Sequence, residues 1–156
     1  MSYRVAFDLD DTLLSPINEF PYEAFPAPWF VKLLGFEPIR ESTVRLIREL
    51  RKQNVEVWIY TSSFRSTAYI RRLFWLYSIH LDGIVNAHIH LKALKHSKFK
   101  PSKYPPAFGI NVLIDNSEGV KMEGEKYNFV VVHIQPLQKN WHKIVRDYMK
   151  VKFGIF

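Results

Sequence analysis

The stretch Phe7-Asp8-Leu9-Asp10-Asp11-Thr12-Leu13 decides how the whole chain is read. It follows Arg4-Val5-Ala6, so residues 4–8 read as a short buried strand running into an acidic turn. Side chains alternate along a strand, so carboxylates at i and i+2 can face one site. Two carboxylates in one place repel unless a cation neutralises them or one holds a proton. Each solution carries chemistry. A hard cation such as Mg²⁺ takes oxygen ligands. A protonated carboxylic acid can donate to a leaving oxygen, and an ionised carboxylate can attack an electrophile. A plain acidic turn is the bland alternative for this segment alone.

Outward from this stretch, strands and helices alternate. Residues 41–54 have Val44, Ile47 and Leu50 at helical spacing, with Arg45, Arg48 and Glu49 between them. Residues 55–60 read as a second strand ending at Thr61-Ser62-Ser63, with Ser63 expected to cap a helix reaching Tyr77. A third strand is expected over 83–87, a Lys/His-rich loop over 88–106, and a fourth strand over 112–114 ending at Asp115-Asn116. A helix over 118–126, a strand over 129–134 and a final helix over 140–152 complete the chain, the last with Trp141, Ile144, Val145 and Tyr148 on one face. This alternation implies a parallel sheet covered on both faces, whose ligands bind beyond the carboxyl ends of the strands. Asp8/Asp10, Thr61 and Asp115/Asn116 all fall at that edge.

The bulk properties agree with one globular domain over residues 1–156: 47% hydrophobic and 24% charged residues. Cysteine is absent, which excludes disulfides, thiol catalysis and thiolate metal sites and fits a reducing compartment. No apolar run approaches a membrane span and no leader-like pattern opens the chain, so a cytoplasmic protein is expected. The net charge of +7 favours anionic partners such as phosphorylated substrates, nucleic acid or acidic proteins. Residues 14–38 hold Pro16, Pro21, Pro26, Pro28 and Pro38 among several aromatics, which argues against regular structure through most of that segment, although a short helix over 29–34 fits.

Phe7–Leu14 resembles the first motif, Asp-x-Asp-x-Thr, of the haloacid dehalogenase (HAD) superfamily. The resemblance extends to about Ile134 with the motifs in order. It implies a Rossmann-like three-layer α/β sandwich with about five parallel strands in the order 5-4-1-2-3. It also implies a phosphatase in which Asp8 is the nucleophile, Asp10 the general acid/base and Thr12 a brace of the loop. Asp11 holds a place that is often Gly. Trp58-Ile59-Tyr60-Thr61 is similar to the second motif, with Ser62 as the close alternative for binding a phosphoryl oxygen. The third motif is a lysine; Lys98, Lys100 and Lys103 compete, and Lys100 is preferred because it precedes Pro101. Val112-Leu113-Ile114-Asp115-Asn116-Ser117 resembles the fourth motif, so the implied Mg²⁺ site is Asp8, the Asp10 carbonyl, Asp115 and Asn116, with Glu118 nearby. Asn116 stands where many members carry a second acid, and the Asp-Asn-Ser pattern is similar to the C-terminal-domain phosphatase branch.

Neither gap in the motif order has room for a large cap domain; residues 14–38 form only an insertion. The chain therefore resembles a capless member on the scale of the magnesium-dependent phosphatase-1 group. An open site suits a large substrate such as a phosphoprotein or a nucleic-acid end, unless an oligomer partner covers it. Arg65, near a helix start, is a candidate for holding a substrate phosphate, while Arg71 and Arg72 read as solvating that helix. His88 and His90 would share a strand face, but with His96 they lack acidic or cysteine companions for a transition-metal site. Trp58, Phe74 and Trp75 read as core. The alternative function is a non-catalytic module of the same fold that binds nucleic acid or an acidic partner.

Overall fold

The computed structural model of the chain describes residues 3–15, 19–24, 33 and 35–156. Five strands form one sheet: β1 (Arg4–Phe7), β2 (Glu56–Tyr60), β3 (Gly83–Val85), β4 (Val112–Asp115) and β5 (Val131–His133), in the order β3-β2-β1-β4-β5. All four pairings are parallel. This is the expected order read from the other edge. The helices are α1 (Thr43–Lys52), α2 (Thr67–Leu76), α3 (Ala87–Ala93), α4 (Glu118–Tyr127) and α5 (Trp141–Phe153), with a 3₁₀ turn at Pro105–Phe108.

Alternation along the strands sorts their side chains into two cores. Val5 and Phe7, Val57 and Ile59, and Val112 and Ile114 point to one face. There they meet Leu46, Ile47 and Leu50 of α1, Ile70, Leu73 and Phe74 of α2, and Trp141, Val145 and Met149 of α5. Ala6, Tyr60 and Leu113 point to the other face, against Val120 of α4 and Phe129. Because both faces are covered, the central strands β1 and β4 are buried almost throughout. Among the described residues no helix is long and apolar enough to cross a membrane, and no large cap domain is present.

Several local expectations are corrected. The cap of α2 is Ser66, whose side chain accepts the Tyr69 N–H, and not Ser63. The stretch read as a Lys/His-rich loop contains α3, capped by Asn86, and the 3₁₀ turn. His88 and His90 therefore lie on a helix and not on a strand: His88 is exposed and His90 is buried. In α5 the inward face is Trp141, Val145 and Met149, since Ile144 and Tyr148 are only partly buried. Trp75 is 73% exposed and belongs to no core. The helix expected over 29–34 lies outside the described residues apart from Leu33. The insertion's ends are tied by an antiparallel bridge between Tyr22 and Arg40.

Gly83 shows how closely the sheet is covered. It pairs with Trp58 across β2–β3, and a Cβ at this position would clash with the carbons of the indole ring. We expect Gly83→Ala to displace Trp58 and cost about 1–3 kcal/mol, read as a lowered thermal midpoint; an unchanged midpoint would show that the indole moves freely.

Candidate active site

β1 is central, so the residues just beyond its carboxyl end are flanked by the ends of both neighbouring strands. Phe7 pairs with Ile59 on one side and Ile114 on the other. The register sets Asp8 level with Asp115 and one residue short of Thr61. The Asp8 N–H donates to the Ile114 carbonyl at 2.8 Å, which prolongs the β1–β4 ladder into the site.

The turn after Asp8 is held from below. Leu9, Leu13 and Leu14 are fully buried, and the N–H groups of Leu13 and Leu14 both donate to the Leu9 carbonyl. Asp11 turns the chain at φ 58°. That left-handed conformation suits Gly best and Asp or Asn next, which is the physical reason Gly is common at this place. The Thr12 hydroxyl lies 3.0 Å from Asp8 Oδ2 and 3.1 Å from Asn116 Oδ1, and it accepts the Asn116 N–H at 3.2 Å. Its single proton serves one carboxyl or amide oxygen at a time, so Thr12 ties the first acidic turn to the second.

The lysine that the structure brings between Asp8 and Asp115 is Lys103, and Lys100, the one expected there, lies outside that contact. Its ammonium is 3% exposed and bonds both Asp8 Oδ1 and Asp115 Oδ2, the second at 2.7 Å. Asp115 Oδ1 accepts the Ser117 N–H at 2.8 Å. The Lys103 segment is fixed by Tyr60, whose hydroxyl accepts the Tyr104 N–H at 2.8 Å, and by the 3₁₀ turn that comes after it. Lys98 and Lys100 are not buried in the site, and Lys100 lines an adjoining groove with Ser62. Burial pushes the Asp8 carboxyl up from 3.8 to about 6; Lys103 opposes the rise and Asp115 adds to it. Burial would also lower the Lys103 ammonium, but Asp8 and Asp115 outweigh it and the net shift is upward.

Asp10 lies at the open rim. Its Oδ1 pairs with Arg65, and its Oδ2 lies 3.2 Å from the Thr61 hydroxyl. Arg65 also holds Glu37 at 3.0 Å, so the guanidinium expected at a phosphate is engaged by two carboxylates. Burial works against the charge on Arg65, and Asp10 and Glu37 more than restore it. Buried Asn86 supports the segment by donating to the Arg65 carbonyl at 3.0 Å.

Sequence reasoning missed Arg40. Its side chain is fully buried, and it donates to the carbonyls of Thr12, Gln135, Pro136 and Gln138 at 2.8–3.2 Å. Its guanidinium also lies over Phe20 and Trp141. It clamps the turn after β1 to the loop after β5. Burial lowers its pKa to about 10, which leaves it charged at neutral pH. An arginine ahead of a helix ordinarily reads as solvated, so only the carbonyls and rings that surround it in the fold reveal the role.

The residues fit a hard divalent cation. Two buried carboxylates, Asp8 and Asp115, face one ammonium, which leaves one negative charge in excess, and the Asn116 amide oxygen is at hand. Among the described residues no group of three His, Asp or Glu side chains could hold a metal. Mg²⁺ needs only one or two carboxylates and keeps water for its other positions.

The architecture is shared with solved structures. A HAD-superfamily hydrolase of subfamily IA from Geobacter sulfurreducens matches with a TM-score of 0.59 at 15% identity, over 95% of this chain and 100% of that one. The HAD domain of the effector protein Lem4 from Legionella pneumophila matches at 0.53 and 18% identity, over 99% and 95%. A protein described as a predicted HAD-like family hydrolase from Porphyromonas gingivalis matches at 0.50 and 12% identity, over 95% and 98%. No family sequence model and no curated protein matches the chain. The chain thus has the fold of the HAD-like hydrolases.

Asp8 binds more protons in the native state than in the unfolded chain between pH 3.8 and about 6. Its contribution to stability therefore falls as pH rises through that window and stays low above it. With a chelator present, Asp8→Asn is expected to melt no lower than the native protein near neutral pH. Added Mg²⁺ is expected to raise the midpoint of the native protein and not of the variant. A variant that melts several degrees lower near neutral pH would contradict this balance.

Proposed function

We propose that the chain, read as one domain over residues 1–156, is a Mg²⁺-dependent phosphomonoester hydrolase working through an aspartyl-phosphate on Asp8. The observation that carries this reading is the buried Lys103 ammonium joined to Asp8 and Asp115 at the end of the central strand. A carboxylate held in this way is a preorganised nucleophile, and the same ammonium can neutralise phosphoryl oxygens as charge develops.

In the first half-reaction Asp8 attacks phosphorus, the ester P–O bond breaks, and protonated Asp10 gives its proton to the leaving oxygen. In the second, ionised Asp10 takes a proton from water, the water attacks phosphorus, and phosphate leaves with Asp8 regenerated. Arg65 pairs with Asp10 and holds its side chain at the rim of the site. Thr61 and Ser62 are assigned to phosphoryl oxygens, and Thr12 orients Asp8. Mg²⁺, held by Asp8, Asp115, the Asn116 amide and the Asp10 main-chain carbonyl, would supply charge neutralisation at the phosphoryl group. A dehalogenase would use a similar nucleophile but has no need of the Asp115 carboxylate, which supports phosphoryl transfer. The binding-module reading leaves the Asp8–Lys103–Asp115 group without a purpose.

Asp8→Asn is expected to cut Mg²⁺-dependent phosphate release from 4-nitrophenyl phosphate by roughly 10³-fold or more, and Lys103→Ala by about a hundredfold or more. Undiminished release from Asp8→Asn would overturn the mechanism. Asp10→Asn should separate the half-reactions. Nitrophenolate leaves without help, so rapid mixing is expected to show a burst of one equivalent followed by slow turnover; steady release with no burst would remove Asp10 from the second step.

A further inference from the structure

A groove of about 510 Å³ leaves the catalytic edge between Ser62 and Ser102. These two residues are the chain neighbours of Thr61 and Lys103, so the lining of the groove includes segments that also carry the site. Its walls include Phe64, Leu91 and Leu94, and Lys95 and Lys100 stand on it. Phe64 is 63% exposed and Leu91 58%. Phe64 meets His88 edge-on at 4.8 Å. Behind the wall, His90 is sealed by the Tyr60 hydroxyl and the Pro101 carbonyl, so the groove is backed by packed structure.

The charge of this region is one-sided. Residues 83–114 contain Lys92, Lys95, Lys98, Lys100 and Lys103 and no Asp or Glu. Among the described residues Lys95 and Lys100 have no ion-pair partner. Glu123, next to the groove, is occupied by the Ser102 hydroxyl at 2.6 Å. An exposed aromatic surface between unpaired cations is what a single-stranded nucleic acid needs, with bases against apolar side chains and phosphates beside ammoniums.

We propose that this groove takes the end of a single-stranded nucleic acid whose terminal phosphate is the group hydrolysed at Asp8. The terminal phosphomonoester reaches Asp8, the adjoining base packs on Phe64 and Leu91, and the next phosphodiesters lie by Lys95 and Lys100. The assignment rests on the phosphatase reading of the same site.

The test compares short oligodeoxynucleotides carrying a 5′- or 3′-terminal phosphate, an acidic phosphotyrosyl peptide and 4-nitrophenyl phosphate, with the native protein, Lys95→Glu/Lys100→Glu and Phe64→Ala. All three altered residues are exposed, and circular dichroism checks the fold. The preference for the oligonucleotide over 4-nitrophenyl phosphate is expected to fall about tenfold or more in the charge-reversed variant. The slope of log affinity against log salt is expected to flatten by about 0.7 per lysine. An unchanged preference and slope would overturn the proposal, as would a variant that loses the phosphopeptide in place of the oligonucleotide. Anisotropy with a labelled oligonucleotide and Asp8→Asn separates the two readings. Binding that the charge reversal abolishes upholds the groove even if no phosphate ester is turned over, and absence of binding overturns it.

Discussion

The site depends on one buried ammonium. Lys103 is held between Asp8 and Asp115 at the end of the central strand, where all three side chains are almost fully shielded from water. Removing three charges from water is costly, and their mutual attraction offsets that cost only where the geometry is good and the remaining oxygens are satisfied. The structure meets both conditions. Thr12 serves Asp8, the Ser117 N–H serves Asp115, and the two-sided cover of the sheet keeps the strand ends from shifting. One negative charge still stands in excess, and a fold that maintains it is prepared for a cation or for a substrate brought with one.

Two arginines frame that centre in opposite ways. Arg65 lies at the open rim, where carboxylates balance it and solvent reaches it, so it can exchange partners as substrate arrives. Arg40 is fully buried among carbonyls and rings and has nothing to exchange. The first holds Asp10 at the rim, and the second fixes the frame on which the turn after Asp8 is built. The turn is thus shielded at Asp8 and Thr12 and more accessible at Asp10.

The sheet order and three of the four polar corners were legible in the sequence because their signals are local. An apolar strand that stops at Asp8, Thr61 or Asp115 announces both the element and the edge. The lysine was not legible in that way. Lys98, Lys100 and Lys103 share a basic segment, and what selects Lys103 is a distant contact: the Tyr60 hydroxyl, from β2, takes the Tyr104 N–H and draws the preceding residue inward. Helix α3 is hard to read because it is short and only Ala87 and His90 are buried, although Asn86 is a capping signal. Trp75 resembles core because it stands beside buried Phe74, and only the orientation of the helix corrects this; the next position on a helix turns about 100° away.

The central position of β1 also orders events in time. Asp8 precedes its partner Lys103 by 95 positions, and Asp115 lies beyond that. Until both have been added, Asp8 is a carboxylate on a strand that lacks one neighbour and its counter-charge. Such long-range closure slows folding, because the entropy of a large loop is spent before any contact rewards it. The growing chain therefore cannot possess the Asp8–Lys103–Asp115 cluster in advance of its fourth strand, and shortened products ending before that point would carry an exposed apolar strand edge instead of the assembled site.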